Sequence, residues 1–349
     1  MTQTLAKPAP LAADERIGRR SPLQNLLGRP EVGALVGAVV LFVFFSLVST
    51  TFIQPNAFAT VLYGSSTIGI MAVGVSLLMI GGEFDLSTGV AVISSALTAS
   101  MFSWFFSVNV WVGVFLALAV SLAIGFINGW ILMKTKLPSF IVTLATFLML
   151  TGLNLALTRM ISNGVSSPSI AQMDGFASAR AVFASSVNIA GVEVKITVFF
   201  WIVLVAVASW VLLRTKVGNW IFAAGGDANA ARAVGVPVKA TKIGLFMGVG
   251  FCGWVLGMHN LFAFDSVQSG EGVGNEFLYI IAAVIGGCLL TGGYGSAVGG
   301  AIGAFIFGMA NKGIVYAQWN PDWFKFFLGL MLLLATIVNL IVKRRAELK

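Results

Sequence analysis

Charge is what this sequence has least of: Asp, Glu, Lys and Arg together make up 10% of 349 residues, where a soluble domain carries about 25%. A soluble protein of this length needs a polar exterior over its core, and so small a charged fraction does not furnish one. Cysteine is almost absent, with Cys252 and Cys288 both inside apolar runs, and His259 is the single histidine. These three read as packing residues, with neither a disulfide framework nor a zinc spacing among them. No GxxxxGK[ST] stretch occurs, so the chain holds no ATP through a P-loop, and no G-x-S-x-G elbow is present. Enzymatic chemistry has little to work with, and no cofactor or metal is expected on this chain.

What is present is hydrophobic. Apolar residues make up 58% of the chain, the mean hydropathy is +0.95, and there are 40 glycines. The apolar runs are continuous, whereas membrane barrel strands alternate apolar and polar residues. An all-α polytopic membrane protein is therefore expected, with glycines letting helix backbones approach closely. The 28 Phe and 9 Trp mostly suit lipid-facing surfaces and interfacial belts.

A crossing helix needs about 20 apolar residues. Ten segments qualify: 32–53, 60–81, 86–106, 109–133, 138–158, 196–213, 242–264, 277–291, 296–317 and 323–342. Glycine-rich breaks divide the pairs 60–106 and 277–317. Residues 1–30 read as a flexible cytoplasmic tail, 31–343 as the membrane domain and 344–349 as a second cytoplasmic tail. Between the spans, 159–195 reads as an external segment with a short helix or a strand pair.

Net charge is +8, but the basic residues are spread between apolar runs, which fits membrane topology and not nucleic-acid binding. With an inside N-terminus, Lys7, Arg16, Arg19, Arg20, Arg29, Lys134, Lys136, Arg214, Lys216, Arg232, Lys239, Lys242, Lys343, Arg344, Arg345 and Lys349 all fall inside. They are 16 of the 21 Lys and Arg. Arg159, Arg180, Lys195, Lys312 and Lys325 fall outside. The positive-inside rule thus favours an even number of spans and two cytoplasmic termini.

Four stretches carry polar or glycine patterns. In the internal loop 214–241, Asp227 follows Gly225-Gly226 and precedes the helix-forming run Ala228 to Ala233, which is a helix N-cap signal. Gly235 and Pro237 then stop the helix. A short surface helix is predicted, with Arg232 near its end; it is either a docking element or a plain connection. In IGGEFDLSTG (80–89), Glu83 and Asp85 interrupt apolar sequence, where a charge at a helix centre costs about 2.5–3.5 kcal/mol on the insertion scale. Asp85 or Ser87 either caps the next helix or takes part in substrate passage. Glu276 opens the span near 277, as a first-turn acid complementing the helix dipole or as an external gate or docking contact. Glycines recur through GGCLLTGGYGSAVGGAIGAFIFG (286–308), as close helix packing requires; the segment also loosely echoes 74–92, as an internal repeat would.

Together these stretches resemble the permease subunits of ribose- and xylose-type ABC importers, in the branched-chain amino acid/simple-sugar permease superfamily. The resemblance spans residues 50–342. It rests on IMAVGVSLLMIGGEFDLSTG (70–89), LPSFIVTLATFLMLTGL (137–153), FAAGGDANAARAVGV (222–236) and EFLYIIAAVIGGCLLTGG (276–293). The family more usually has Gly-Ile-Asp-Leu-Ser where this chain has Glu83-Phe84-Asp85-Leu86-Ser87, so Glu83 is a departure. The resemblance implies a type II-like importer permease in a bacterial inner membrane, moving a monosaccharide by alternating access. Its partners would be a second permease subunit, a periplasmic sugar-binding protein and a cytoplasmic ABC ATPase that holds ATP and Mg. Branched-chain amino acids or nucleosides are the alternative cargo, and a self-sufficient secondary transporter is a further alternative. Gly226, Asp227, Ala230, Ala231, Arg232 and Gly235 would then form the coupling helix. Asp85, Ser87, Asn128, Thr143, Thr146, Asn154, Glu276 and Asn311 are candidates for pathway or gate. The membrane-embedded polar residues serve equally well as interhelical hydrogen-bond partners.

Overall fold

The computed structural model describes residues 30–347, with side chains from 31 to 337. The N-terminal tail and residues 348–349 lie outside the described residues, and 344–347 continue the last helix. Ten helices stand where the ten apolar segments were expected. They are α1 (Pro30–Val48), α2 (Pro55–Ile80), α3 (Thr88–Phe106), α4 (Val110–Thr135), α5 (Ser139–Ser162), α7 (Ile196–Arg214), α10 (Val238–Phe264), α11 (Asn275–Ile285), α12 (Ala297–Tyr316) and α13 (Trp323–Glu347). Between them lie α6 (Phe176–Phe183), α8 (Lys216–Gly226) and α9 (Ala228–Ala233). Among the described residues eight helices are long and apolar enough to cross a membrane; α11 is a shorter apolar helix, and the side chains of α13 are described only as far as 337.

The expected span 277–291 is the main difference. Helix α11 has 11 residues, about 16 Å at 1.5 Å each, against a hydrocarbon core of about 30 Å. It stops at Gly286, and Gly287 at φ +93° turns the chain away. The segment 163–195 contains both expected elements, α6 and a hairpin of β1 (Ser186–Ile189) with β2 (Val192–Lys195).

The bundle has two ends. One holds 81–87, 136–138, 215–237 and 286–296 and is called here the α9 end; the other holds 163–195 and 265–269, and 270–274 runs inward from it to the start of α3, where a Cβ on Gly89 would collide with the Gly272 carbonyl oxygen. At that other end Ile170 N–H donates to Asp265 O at 3.0 Å and Ser167 N–H to Val267 O at 2.9 Å. Two of its apolar cores lie between. Leu78, Ile80, Leu132, Ile221, Phe246 and Tyr279 fill the α9 half. Ile93, Leu97, Ile170, Phe183 and Phe262 fill the other. Helices α4 and α10 cross backbone to backbone, because a Cβ on Gly125 would collide with the Phe246 carbonyl oxygen and one on Gly250 with that of Ser121. His259 is satisfied in the second half, with Nδ1 at 2.8 Å from Phe183 O and Nε2 at 2.9 Å from the Tyr63 hydroxyl. Cys252 and Cys288 are free and buried.

Candidate functional site: a broken helix joined to a capped surface helix

Helix α2 ends because Gly81 caps it and Gly82 takes φ +81°, a conformation open to glycine at little cost. The chain then runs unwound to Ser87. Unwound backbone among apolar helices must find hydrogen-bond partners inside the protein, and α5 supplies them. Phe84 N–H donates to Ser139 Oγ and Leu86 N–H to Thr143 Oγ1, each at 3.1 Å. Asp85 Oδ1 accepts from Ser87 N–H at 2.8 Å and from the Ser87 hydroxyl. Asn128 Nδ2 donates to Ser87 Oγ at 3.1 Å, while its Oδ1 accepts from the Thr146 hydroxyl at 2.6 Å. One level up, Asn154 Oδ1 accepts from Ser94 Oγ at 2.9 Å and its amide donates to Val90 O at 3.3 Å. Every one of these polar side chains is buried.

Seven of the eight pathway candidates are thus placed. Asp85, Ser87, Asn128, Thr143 and Thr146 form one network around the break, and Asn154 ties α5 to α3. Glu276 is buried in the first turn of α11, its carboxylate accepting from Gly274 N–H at 3.1 and 3.2 Å. That is the dipole-complementing geometry, and the carboxylate also packs against the start of α3, where a Cβ on Gly89 would lie 2.6 Å from Glu276 Oε2. Asn311 sits apart on α12, half-buried.

At the α9 end, Asp227 caps α9 as its sequence predicts, with Oδ1 accepting from Asn229 N–H at 2.8 Å and Ala230 N–H at 3.0 Å. These two bonds, Ala230 first, hold the Asp227 carboxyl below its ordinary value. Gly235 at φ +86° ends the helix, with its N–H on Arg232 O at 3.0 Å. Ala231 is buried against Ala224 and Val238, whereas Arg232 is exposed and reaches Asn229 Oδ1 at 3.2 Å. A depressed carboxyl contributes its stabilisation fully above the ordinary carboxylate value and loses it as pH falls through the depressed one. Replacing Asp227 with Ala should therefore speed amide exchange over 228–233 at neutral pH and leave α7 and α10 unchanged. At a pH below the depressed value the variant and the parent should exchange alike.

Three glycine pairs join α9 to the break. Gly293 N–H donates to Ile80 O at 2.9 Å. A Cβ on Gly225 would collide with that same carbonyl oxygen and lie 2.8 Å from Gly293 N; one on Gly292 would lie 2.6 Å from Gly82 Cα. The backbones of 81–82, 225–226 and 292–293 are therefore in direct contact. One step on, Glu83 accepts a charge-assisted hydrogen bond from Lys242 Nζ in the second turn of α10, with side chains only 11% and 9% exposed. Sequence reasoning missed Gly82, Gly292, Gly293, Ser139 and Lys242 as parts of one site. The echo between 74–92 and 286–308 was the available signal, and its two halves touch.

The comparisons with known proteins converge on one family. The model of the "Branched-chain amino acid transport system / permease component" family matches residues 57–336. The ribose import permease protein RbsC of Escherichia coli K12 is 31% identical over 313 residues, covering 88% of this chain and 93% of its own. The fructose import permease protein FrcC of Rhizobium meliloti is 26% identical over 317 residues, covering 90% and 86%. The galactose/methyl galactoside import permease protein MglC of Haemophilus influenzae is 28% identical over 301 residues, covering 83% and 88%. No solved structure matches the chain. The broken α2–α3 segment, the capped α9 and the half-length α11 all fall within the matched residues, and the chain belongs to the branched-chain amino acid transport system permease family.

Proposed function

We propose that this chain is the permease subunit of an ATP-driven importer that carries a monosaccharide across a bacterial inner membrane. The α9 end and both termini face the cytoplasm, and α9 is the coupling helix seated on a separate ABC ATPase, which holds ATP and Mg. A second permease subunit and a periplasmic sugar-binding protein complete the assembly. The observation that carries this reading is the continuous backbone contact from the loop bearing α9, through Gly225, to the break at Gly82 and the turn at Gly292–Gly293. A push on α9 reaches both interrupted helices without passing through a flexible side chain. Three relatives named for ribose, fructose and galactose import support the cargo class. On this reading Asp85, Ser87, Asn128, Thr143 and Thr146 position the break, since their polar atoms are engaged with it and with one another.

Arg232, exposed on α9, gives the test. Arg232→Glu should abolish co-purification of the ATPase, or transport, while the permease stays monodisperse in detergent; unchanged association and unchanged transport would sink the coupling assignment. Uptake of labelled ribose, fructose or galactose in the full complex supports the cargo class, and uptake of leucine alone would replace it. Uptake by liposomes holding only this chain, without ATP, would make it a self-sufficient transporter.

A further inference from the structure

Beside α9 lies a recess of ≈ 670 Å³, and three cations from three segments line it: Lys136, Arg232 and Lys239. Lys136 is the C-cap of α4, Arg232 belongs to α9, and Lys239 lies in the first turn of α10. Among the described residues none of the three has a carboxylate within ion-pair distance, the two pairs being Arg180–Asp265 and Lys242–Glu83. Glu83, the one acid lining the recess, is neutralised by Lys242. Helix α5 begins at the same place, with Pro138 as N-cap and no side-chain cap, so its positive end adds to the field.

The other wall is apolar, formed by Leu132, Met133, Leu137 and Pro138. It runs onto an exposed apolar flank where Leu137 is 46%, Phe140 53% and Ile141 49% exposed. An acidic protein segment needs no such flank, and a free anion has no use for it. A molecule with a phosphate at one end and hydrocarbon at the other fits both walls, as basic pockets at membrane-helix ends suit anionic headgroups.

We propose that this recess binds an anionic phospholipid, its headgroup among Lys136, Arg232 and Lys239 and an acyl chain along the α5 flank. The site depends on the chain lying in a membrane, not on the importer reading. Because Arg232 and Asn229 of α9 line it, the bound lipid braces α9 against α4 and α5.

The test uses the full chain in uncharged detergent, with bound lipid counted by native mass spectrometry during titration with phosphatidylglycerol, cardiolipin or phosphatidylcholine. The anionic lipids should remain bound and phosphatidylcholine should not. Lys136→Gln/Lys239→Gln should weaken the anionic lipids about 25-fold, from roughly fivefold for each basic residue near a lipid surface. Arg214→Gln/Lys216→Gln removes the same charge from 214–216, outside the recess lining, and should change little. Equal retention of phosphatidylcholine, or equal loss in both double variants, would overturn the site. So would inorganic phosphate protecting the recess as well as phosphatidylglycerol does, which would mean a free anion. Unchanged lipid binding in Lys136→Gln/Lys239→Gln with loss of a co-purifying ATPase would give the recess to the protein partner instead.

Discussion

Gly225→Ala should produce a permease that still inserts and still holds its ATPase, yet transports at least about tenfold more slowly. The added methyl would collide with the Ile80 carbonyl oxygen and lie 2.8 Å from Gly293 N. Both obstacles are backbone atoms, so no rotamer change relieves the clash. The Gly293–Ile80 hydrogen bond of 2.9 Å occupies the same space and must lengthen or break. Overpacking of this kind costs about 1–3 kcal/mol, enough to open the junction and too little to unfold the helix bundle. Gly226→Ala is the internal control, since a Cβ there meets nothing within 4 Å. It should match the parent in melting temperature, which separates the clash from the mere addition of a methyl to this loop. Thermal stability in detergent and ATP-driven uptake in proteoliposomes read the two effects separately. Transport by Gly225→Ala at the parental rate would remove the junction from the coupling route.

That junction shows where reading from sequence stops. Apolar runs and helix caps are local signals, which is why ten segments coincide with ten helices and why α9 begins and ends at Ala228 and Ala233 as its cap and stop glycine require. A meeting of Gly82, Gly225 and Gly292 is not local. Glycine at each position is what close backbone approach demands, but glycines in ordinary helix crossings, such as Gly125 and Gly250, look the same in sequence. The length of α11 was obscured for the same reason, because apolar sequence continues past Gly286 although the helix does not. Asn128, Thr143 and Thr146 stood out as polar residues in apolar helices. Pathway lining and interhelical bonding call for the same residue types, and only the geometry turns them toward the break. Glu83 stood out as a departure from its family pattern, while its partner lies 159 positions away.

Lys242→Met should be the most destabilising single change at the α9 end. It leaves the Glu83 carboxylate largely buried with its cation gone, and breaking a buried pair from one side costs about 3–5 kcal/mol. Glu83→Met, which strands the ammonium, should approach that loss. The double variant Glu83→Met/Lys242→Met removes both desolvated charges together, and such replacements are close to neutral or stabilising. Its melting temperature in detergent should therefore return to the parental value, giving a large coupling in the double-mutant cycle. A Lys242→Met variant as stable as the parent would mean that water reaches the pair and that it holds nothing. Transport by the double variant answers a separate question. Glu83 sits at the break and Lys242 in the second turn of α10, directly after the segment that ends α9. If the pair only fills space, the repaired double variant imports normally. If its directional hydrogen bond keeps the break in register with α10 during each cycle, the double variant is stable but hydrolyses ATP with reduced import. The second outcome is expected here, because two methionine side chains restore volume without restoring a fixed geometry between the two elements.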